Sequence, residues 1–363
     1  MKFVIKKYVL DKKNMILLLV MLLLLVALYI FNVFVLPNNE QELLISSTNS
    51  SIQITQQSLK ESKGTSLATL NQQLEKLIAE KSALERNNYN EYYKLDNALN
   101  RQTLSDYEKN PKAFYNFDPL QAKQAIAYYN SVRKSGQDFP AMQGENPKAL
   151  GLFNYSTAWL SSVILLVFFS LVCGNFLSEE FTEKIRFYQL VHINKTKILL
   201  YYLFTPVLIV FSAIIVLFGI LFGVRLYENG LGSFTFPFGT GDFVTSPIWQ
   251  IGLWSFAYLF LSLIFIASLG QFFALITKKA MLPVSILIVI LVGFTLLEQQ
   301  TFMRGIIKWI PFSYLGSGQV IHYSSQMFGR SSLGFGVAYL IICSILLFFA
   351  TNFLYARYTY RRN

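Results

Sequence analysis

Charged side chains are missing from six long apolar stretches of this chain. A helix crosses a bilayer with about 20 apolar residues, so each stretch predicts a membrane span. Ionisable residues inside membrane helices typically form proton relays, ion paths or voltage sensors. Their absence argues against a pump that is driven by ion movement and indicates that energy enters from outside the bilayer. The stretches free of Asp, Glu, Lys, Arg and His are residues 15–36 (TM1), 156–177 (TM2), 198–224 (TM3), 248–276 (TM4), 280–297 (TM5) and 335–355 (TM6).

Cysteine and histidine are scarce, with two of each in 363 residues. Cys173 and Cys343 both fall inside predicted spans, where a thiol behaves as a small apolar group, so no disulfide framework is expected. His192 and His322 fall on opposite sides of the membrane in the predicted topology and cannot share a metal. We therefore expect neither a metal site nor a cofactor in this chain.

Motifs for catalysis are also missing. The sequence has no Gly-x-x-x-x-Gly-Lys-Ser/Thr loop to hold nucleotide phosphates, no Gly-x-Ser-x-Gly elbow and no His-Glu-x-x-His zinc pair. A membrane enzyme acting on lipid or cell-wall precursors would need carboxylates or histidines that converge at one interface. The chain offers almost none, so we expect a protein without catalytic residues.

Basic residues are abundant, and their placement predicts the topology. The net charge is +11, and 14 basic against 4 acidic residues lie in segments 1–14 and 178–197, the turn 278–279 and the tail 356–363. Segment 37–155, by contrast, has 13 of each sign. The positive-inside rule places the basic segments and both termini in the cytoplasm of a bacterial-type plasma membrane. The basic charge thus indicates membrane lipids as partners and not nucleic acid.

The first 14 residues predict a cytoplasmic interfacial helix, because five lysines alternate with apolar residues. A frayed basic leader is the alternative. TM1 is interpreted as an uncleaved anchor, since its apolar run is long and is followed by no small-x-small cleavage site.

Segment 37–155 predicts a mostly helical extracytoplasmic domain between TM1 and TM2. Polar Ser, Thr, Asn and Gln dominate residues 41–57, and helix-forming sequence follows. A heptad seam of leucines, interrupted by Lys81, and a second helix over 119–134 indicate a helical hairpin. It acts either as a stiff spacer or as a surface that gates or receives a substrate. Two sets of residues support these readings: the seam leucines Leu67, Leu70, Leu74, Leu77 and Leu84, and the aromatics Tyr89, Tyr92, Tyr93, Phe114, Tyr115 and Phe117, which favour an interaction surface.

Two later segments predict external loops. Segment 225–247 is rich in Gly, Phe and Pro and is expected to rest on the outer interface. Segment 298–334 is apolar but interrupted by charges and glycines. It is either an interfacial loop or a re-entrant pair of short helices, which requires that its freed backbone groups be buried against protein.

Segment 178–197, between TM2 and TM3, mixes acidic and apolar residues and then becomes basic. It predicts a short amphipathic helix whose apolar ridge fits a groove on a cytoplasmic partner, while its acidic start meets basic residues there. An active site is less favoured, because Glu179 and Glu183 lie one helical turn apart beside Lys184 and Arg186. The residues that we expect to contact the partner are Glu179, Glu180, Phe181, Glu183, Arg186, Phe187 and Tyr188.

The acidic start and amphipathic helix of segment 178–197 resemble the coupling helix in membrane subunits of ABC-2 type ATP-binding-cassette transporters. The resemblance extends to six spans, a basic N-terminal interfacial helix, a tight turn at 277–279 and a broken apolar loop before the last span. It departs at Lys184 and Ile185, where the family often has Gly-Thr.

The resemblance implies an all-α membrane protein with six transmembrane helices and a helical extracytoplasmic domain inserted between helices 1 and 2. It implies a non-catalytic permease that pairs with a second copy or a paralogue and docks cytoplasmic ABC ATPase subunits, which carry ATP and Mg. The cargo expected is a peptide or a lipid-like amphipathic molecule, as in antimicrobial peptide export or immunity. Two alternatives are a membrane sensor or immunity protein whose outer domain binds a peptide without transport, and a permease with four spans.

Overall fold

A computed structural model describes the chain in segments. They are residues 2–31, 36–61, 66–111, 119–139, 148–153, 163–182, 194–239, 245–279, 281–298, 306–316 and 332–360, with positions 156, 160, 300, 302, 303, 318 and 320. The α-helices there are α1 (Lys2–Leu10), α2 (Lys12–Ile30), α3 (Leu36–Glu61), α4 (Ser66–Glu85), α5 (Tyr89–Lys109), α6 (Pro119–Ser135), α7 (Val163–Thr182), α8 (Lys195–Asn229), α9 (Ile248–Thr277), α10 (Leu282–Leu297) and α11 (Ser332–Tyr360). Two short strands are β1 (Pro237–Gly239) and β2 (Thr245–Pro247).

The chain folds into two compact units. The first unit comprises Met1–Ala27, Tyr155–Val224 and Gly252–Asn363, and the second comprises Leu28–Asn154 and Arg225–Ile251.

Four helices are long and apolar enough to cross a membrane, and they coincide with the predicted TM1, TM3, TM4 and TM6. The apolar helices within TM2 and TM5 are shorter: Val163–Gly174, and Leu282–Leu297 with 16 residues. At 1.5 Å per residue the latter rises only about 24 Å, less than the hydrocarbon thickness of about 30 Å. Six crossings therefore stay a prediction. The helices that qualify are Lys12–Ile30, Lys195–Asn229, Ile248–Thr277 and Leu333–Arg357.

The predicted end of TM1 lies inside another helix. The helix of this span, α2, ends at Ile30, and α3 already begins at Leu36. Pro37 explains the new start, because proline is favoured at the first helical positions, where its missing N–H would have no partner in the helix.

Helices of the first unit approach closely at glycines. A Cβ at Gly174 of α7 would lie 2.8 Å from Cγ2 of Val284 of α10, and a Cβ at Gly270 of α9 would lie 3.5 Å from the Cα of Gly174. Small residues allow such close approach between membrane helices, where van der Waals contact drives association. Local sequence does not predict this contact, because single glycines in apolar runs carry no distinctive pattern.

Two 3₁₀ helices, Ile307–Trp309 and Pro311–Tyr314, form the part of segment 298–334 that precedes α11. Side-chain hydroxyls donate to four backbone carbonyls in or directly after these helices, and a re-entrant loop would need such bonds for its freed backbone groups. Placement of the loop in the bilayer stays a prediction. The bonds join Ser313 to Ile307 (2.7 Å), Tyr314 to Lys308 (2.9 Å), Tyr339 to Trp309 (2.5 Å) and Ser262 to Leu315 (3.0 Å).

Four consecutive helices, α3 to α6, build most of the second unit, each packed on the next. The predicted hairpin was therefore too simple. The seam leucines Leu77 and Leu84 are buried as expected, whereas Lys81 stays at the edge and pairs with Glu85 at 3.7 Å. The core between α4, α5 and α6 contains Ala83, Leu84, Tyr92, Tyr93 and Tyr129.

Three of the six aromatic residues assigned to an interaction surface lie in or against the core of the second unit. Tyr92 and Tyr93 are buried in the core, and Phe139 stacks between Tyr93 and Tyr129 with ring centroids 5.0 and 5.2 Å apart. Their role is packing, so the surface assignment was wrong for these tyrosines. Tyr89 is partly buried against the same core. Phe114, Tyr115 and Phe117 lie outside the described residues.

The polar stretch 41–57 forms the middle of helix α3. Ser and Thr are weak helix formers because their hydroxyls compete for backbone groups. In α3 the hydroxyls bond to the carbonyl four residues earlier, so each of them has a partner within the continuous helix. Such bonds join Thr48 to Leu44 (2.8 Å), Ser50 to Ser46 (3.0 Å), Ser51 to Ser47 (3.1 Å), Thr55 to Ser51 (2.8 Å) and Ser58 to Ile54 (2.9 Å).

Segment 225–247 belongs to the second unit and is more than an interfacial strip. The backbone N–H of Ala149 donates to the carbonyl of Gly230 at 2.9 Å, after which Gly230 and Gly232 turn the chain with φ of +79° and +86°. Strands β1 and β2 then pair antiparallel, with Pro237 opposite Pro247, and β1 packs on α6. Elsewhere in the described residues the regular structure is helical, so the predicted all-α class is confirmed, with two paired strands of three residues each as the exception.

Candidate functional site

The predicted docking residues begin within the last turns of α7. Glu179, Glu180 and Phe181 occupy the last turns of this helix, which ends at Thr182. Glu183, Arg186, Phe187 and Tyr188 lie outside the described residues. The structure therefore describes the two ends of segment 178–197, the last turns of α7 and the start of α8, and these two ends define the site.

Asn194 caps the helix that follows the segment. Its Oδ1 accepts a hydrogen bond of 3.0 Å from the backbone N–H of Thr196, and its carbonyl accepts from Ile198 at 3.2 Å. Asn is among the favoured residues at this position because its side chain satisfies an N–H that has no partner within the helix. The cap determines where the chain re-enters α8.

The first turns of α8 are tied to two other helices. Thr196 Oγ1 donates to Oδ1 of Asn352 of α11 at 3.2 Å. Gln271 of α9, which is buried, donates from Nε2 to the carbonyl of Leu199 at 3.1 Å. A shift of the segment would therefore act on α9 and α11 as well as on α8. Sequence reasoning missed both contacts, since nothing local marks pairs 72 and 156 residues apart.

Helix α1 packs against the other end of the segment. Tyr8 is fully buried, and its ring meets Phe176 of α7 edge to face at 5.2 Å. Phe176 in turn contacts Tyr202 of α8 at 4.9 Å. Burial raises the pKa of the Tyr8 hydroxyl, so this group stays neutral. Buried Val4 and Tyr8, one turn apart, show that α1 has a protein-facing side; their i, i+4 spacing was the available signal.

A groove lies between α2, α7 and the start of α10. It has a volume of about 440 Å³ and is lined by Lys13, Ile16, Leu17, Leu171 and Met281. Residues near the start of α2 and the start of α10 therefore share one side of the bundle.

These contacts show that neighbouring helices of the first unit run in opposite directions. The starts of α2, α8 and α10 and the ends of α7, α9 and α11 share one end of the first unit. The sequence predicted this grouping from charge alone. The cations of that end include Lys6, Lys7, Lys12, Lys13, Lys195, Lys197, Lys278, Lys279 and Arg357.

Long apolar helices that alternate in direction, with cations gathered at one end, define a multi-pass membrane protein. Comparison with protein families narrows this class. The chain belongs to the ABC-2 transporter family, because the description "ABC-2 family transporter protein" matches residues 13–353. No curated protein and no solved structure matches it. The chain is thus a membrane transport component, and its family implies association with ABC ATPase subunits.

Proposed function

We propose that this chain is the permease subunit of an ATP-driven exporter and that segment 178–197 is its coupling helix. The observation that carries the proposal is the bonding of the segment's two ends. α7 is held by α1 through Phe176 and Tyr8, and α8 is bonded to α9 and α11. A segment anchored in this way passes the movement of a docked ATPase to several helices at once.

The mechanism follows from the chemistry of segment 178–197. Its acidic start attracts basic residues of the ATPase, and its aromatic side chains fit an apolar groove there. When the ATPase subunits bind ATP and close, the segment moves and tilts α7 and α8. ATP and Mg bind to the partner chain, and the helices of the permease form the path along which the cargo moves.

The cargo that suits this path is a peptide or another lipid-like amphipathic molecule. The helices offer Phe-rich and Leu-rich surfaces and no charge in their apolar stretches, so a strongly charged solute would be poorly solvated there. In this proposal the permease pairs with a second copy or a paralogue, both termini are cytoplasmic, and the second unit lies outside the plasma membrane, where it shapes release or capture.

Charge reversal tests the docking role. The double variant Glu179→Lys, Glu180→Lys should lose the ATPase on affinity purification from native membranes, and ATP-dependent transport in vesicles should fall with it. Glu85→Lys is the matched control, because Glu85 is an exposed acidic residue in helix α4 of the second unit.

Two results would overturn the proposal. One is wild-type recovery of the ATPase with the double variant. The other is the absence of any ATPase from the wild-type purification, which would favour a sensor or immunity protein. Cysteine labelling at Lys279→Cys tests the topology separately, since six spans place this turn in the cytoplasm.

A further inference from the structure

A carboxyl oxygen is buried in the second unit and has no hydrogen-bond partner among the described residues. Glu80 lies on the packed face of α4, between the buried Leu77 and Leu84, and only 3% of it is exposed. Within the described residues its Oε1 is buried and accepts or donates no hydrogen bond. An isolated carboxylate in such a place costs several kcal/mol, and the usual response is to bind a proton.

A second carboxyl group acts on Glu80 from the neighbouring helix. Asp96 of α5 raises the pKa of Glu80 by charge repulsion, in addition to the larger effect of burial. Asp96 itself accepts a hydrogen bond of 3.0 Å from Asn100, which favours its charged form. The two acids thus differ in environment: no described residue donates a hydrogen bond to Oε1 of Glu80, whereas Asp96 accepts one from Asn100.

Other groups around the pair do not neutralise Glu80. Lys76, one turn earlier on α4, lowers the pKa of Glu80 slightly, but its Nζ donates to Gln102 at 2.7 Å. Tyr92 of α5 is buried, and burial raises the pKa of its hydroxyl. Helix α3, which also packs on α4, presents buried Thr48, whose hydroxyl already donates to Leu44. Glu42 and Lys60 of this helix are exposed.

We propose that Glu80 and Asp96 form a proton-binding site between α4 and α5, and that its occupancy sets how tightly these two helices pack. A divalent cation is a poorer occupant. Ca²⁺ takes about six to eight oxygen ligands, and no cluster of three or more His, Cys, Asp or Glu occurs in the part of the chain that the structure describes.

The direction of the pH effect follows from the shifts. Burial and repulsion raise the pKa of Glu80 from 4.5 to about 8, and burial raises the pKa of Asp96 from 3.8 to about 6. A group with a raised pKa in the folded state binds more protons there than in the unfolded state. Each carboxyl group therefore stabilises the packing of α4 and α5 most in acid. Its contribution falls as the pH rises from its pKa in the unfolded state to its pKa in the folded state, and both contributions are lost above about pH 8.

Infrared spectroscopy of the full chain in nanodiscs tests proton binding directly. At pH 7 the difference between wild type and Glu80→Gln should contain the C=O stretch of a neutral carboxylic acid. Glu85→Gln is the control: Glu85 is an exposed acid on the same helix, and no such band should be lost. Absence of the band in the Glu80→Gln difference would overturn the proposal.

Hydrogen exchange tests the effect on packing. After correction for intrinsic rates, protection of α4 and α5 in wild type should fall about tenfold or more between pH 6 and pH 8.5, while Glu80→Gln changes less than about twofold. Equal pH profiles in the two proteins would overturn the proposal. Protection restored by Ca²⁺ at pH 8.5 in wild type but not in Glu80→Gln would also overturn it and assign a cation site.

A second variant keeps the test informative if Glu80→Gln does not fold. Asp96→Asn removes the neighbouring charge and should move the infrared titration of Glu80 to lower pH. An unchanged titration midpoint would show that the two carboxyl groups do not act together, contrary to the proposal.

Discussion

Thr196 and Asn352 are joined by a hydrogen bond of 3.2 Å although 156 residues separate them. Thr196 lies in the first turn of α8, directly after segment 178–197, and Asn352 lies near the end of α11. The bond connects the proposed coupling helix to the last helix of the bundle. It offers a route by which movement of the proposed coupling helix would reach α11.

Removing this bond should weaken coupling more than folding. We expect Thr196→Val and Asn352→Leu each to lower the unfolding free energy by about 1 kcal/mol, with a double-mutant interaction energy of about 0.5–1.5 kcal/mol. Unfolding in detergent measures this energy, and ATPase activity per transported molecule measures coupling. Thr277→Val is the control, because Thr277 bonds within its own helix to Phe273 at 2.9 Å. Additive effects of the two substitutions would contradict the role of the bond.

Gly336 provides a test of how α11 packs on α9 and the 3₁₀ segment. A Cβ there would lie 2.5 Å from both Tyr258 Oη and Tyr314 Cδ1. Gly336→Ala should therefore lower stability by about 1–3 kcal/mol through overpacking. At Gly334, two residues earlier in the same helix, a Cβ meets nothing within 4 Å, so Gly334→Ala should be neutral or slightly stabilising. Thermal unfolding distinguishes the two, and equal melting temperatures would contradict the packing.

Local sequence predicted the features that depend on local composition. The apolar runs predicted the four helices that are long and apolar enough to cross a membrane, because this property depends only on hydropathy and length. The asymmetry of charge predicted which helix ends lie on the same side, because Lys13 and Lys279 can be assigned to one side without knowledge of any contact. The acidic and aromatic pattern of segment 178–197 indicated a docking helix, and this interpretation stays a prediction.

Features that depend on tertiary contact were not predicted. Helix α3 was missed because its hydroxyls lower helix propensity, and only the folded chain shows them bonded within the helix. The bond between Ala149 and Gly230, which brings segment 225–247 into the second unit, joins residues with no shared pattern. The heptad seam showed that α4 needs a partner, but it did not indicate that Glu80 would be buried beside it.

Gly174 tests the contact between α7 and α10. Its missing side chain allows Val284 to approach, since a Cβ would lie 2.8 Å from Val284 Cγ2. Gly174→Ala should lower stability by about 1–3 kcal/mol, and Val284→Ala in the same chain should restore part of the loss. Gly293→Ala on α10 is the control, because nothing lies within 4 Å of a Cβ there. Failure of Val284→Ala to restore stability would place the strain elsewhere.

Tyr29 and Arg225 test a buried cation in the second unit. Arg225 is only 4% exposed, and its Nε donates to Tyr29 Oη at 2.6 Å while its guanidinium lies 5.2 Å from the centre of the same ring. Tyr29→Phe removes the hydrogen bond but keeps the ring, whereas Tyr29→Leu removes both. The first should lower the unfolding free energy by about 1–3 kcal/mol, because the buried donor loses this acceptor. The second should add about 0.5–2 kcal/mol for the lost cation–π contact.

The matched control for this pair is Tyr227→Phe. Tyr227 lies two residues from Arg225 on the same helix but is 93% exposed, so the loss of its hydroxyl should leave the melting temperature unchanged. Thermal unfolding of the four proteins in one detergent measures the series. If Tyr29→Phe matched wild type, the hydroxyl would not be stabilising Arg225; if Tyr29→Phe and Tyr29→Leu were equal, the ring would contribute nothing. The expected order, wild type above Tyr29→Phe above Tyr29→Leu, separates the two interactions because each substitution removes one more of them.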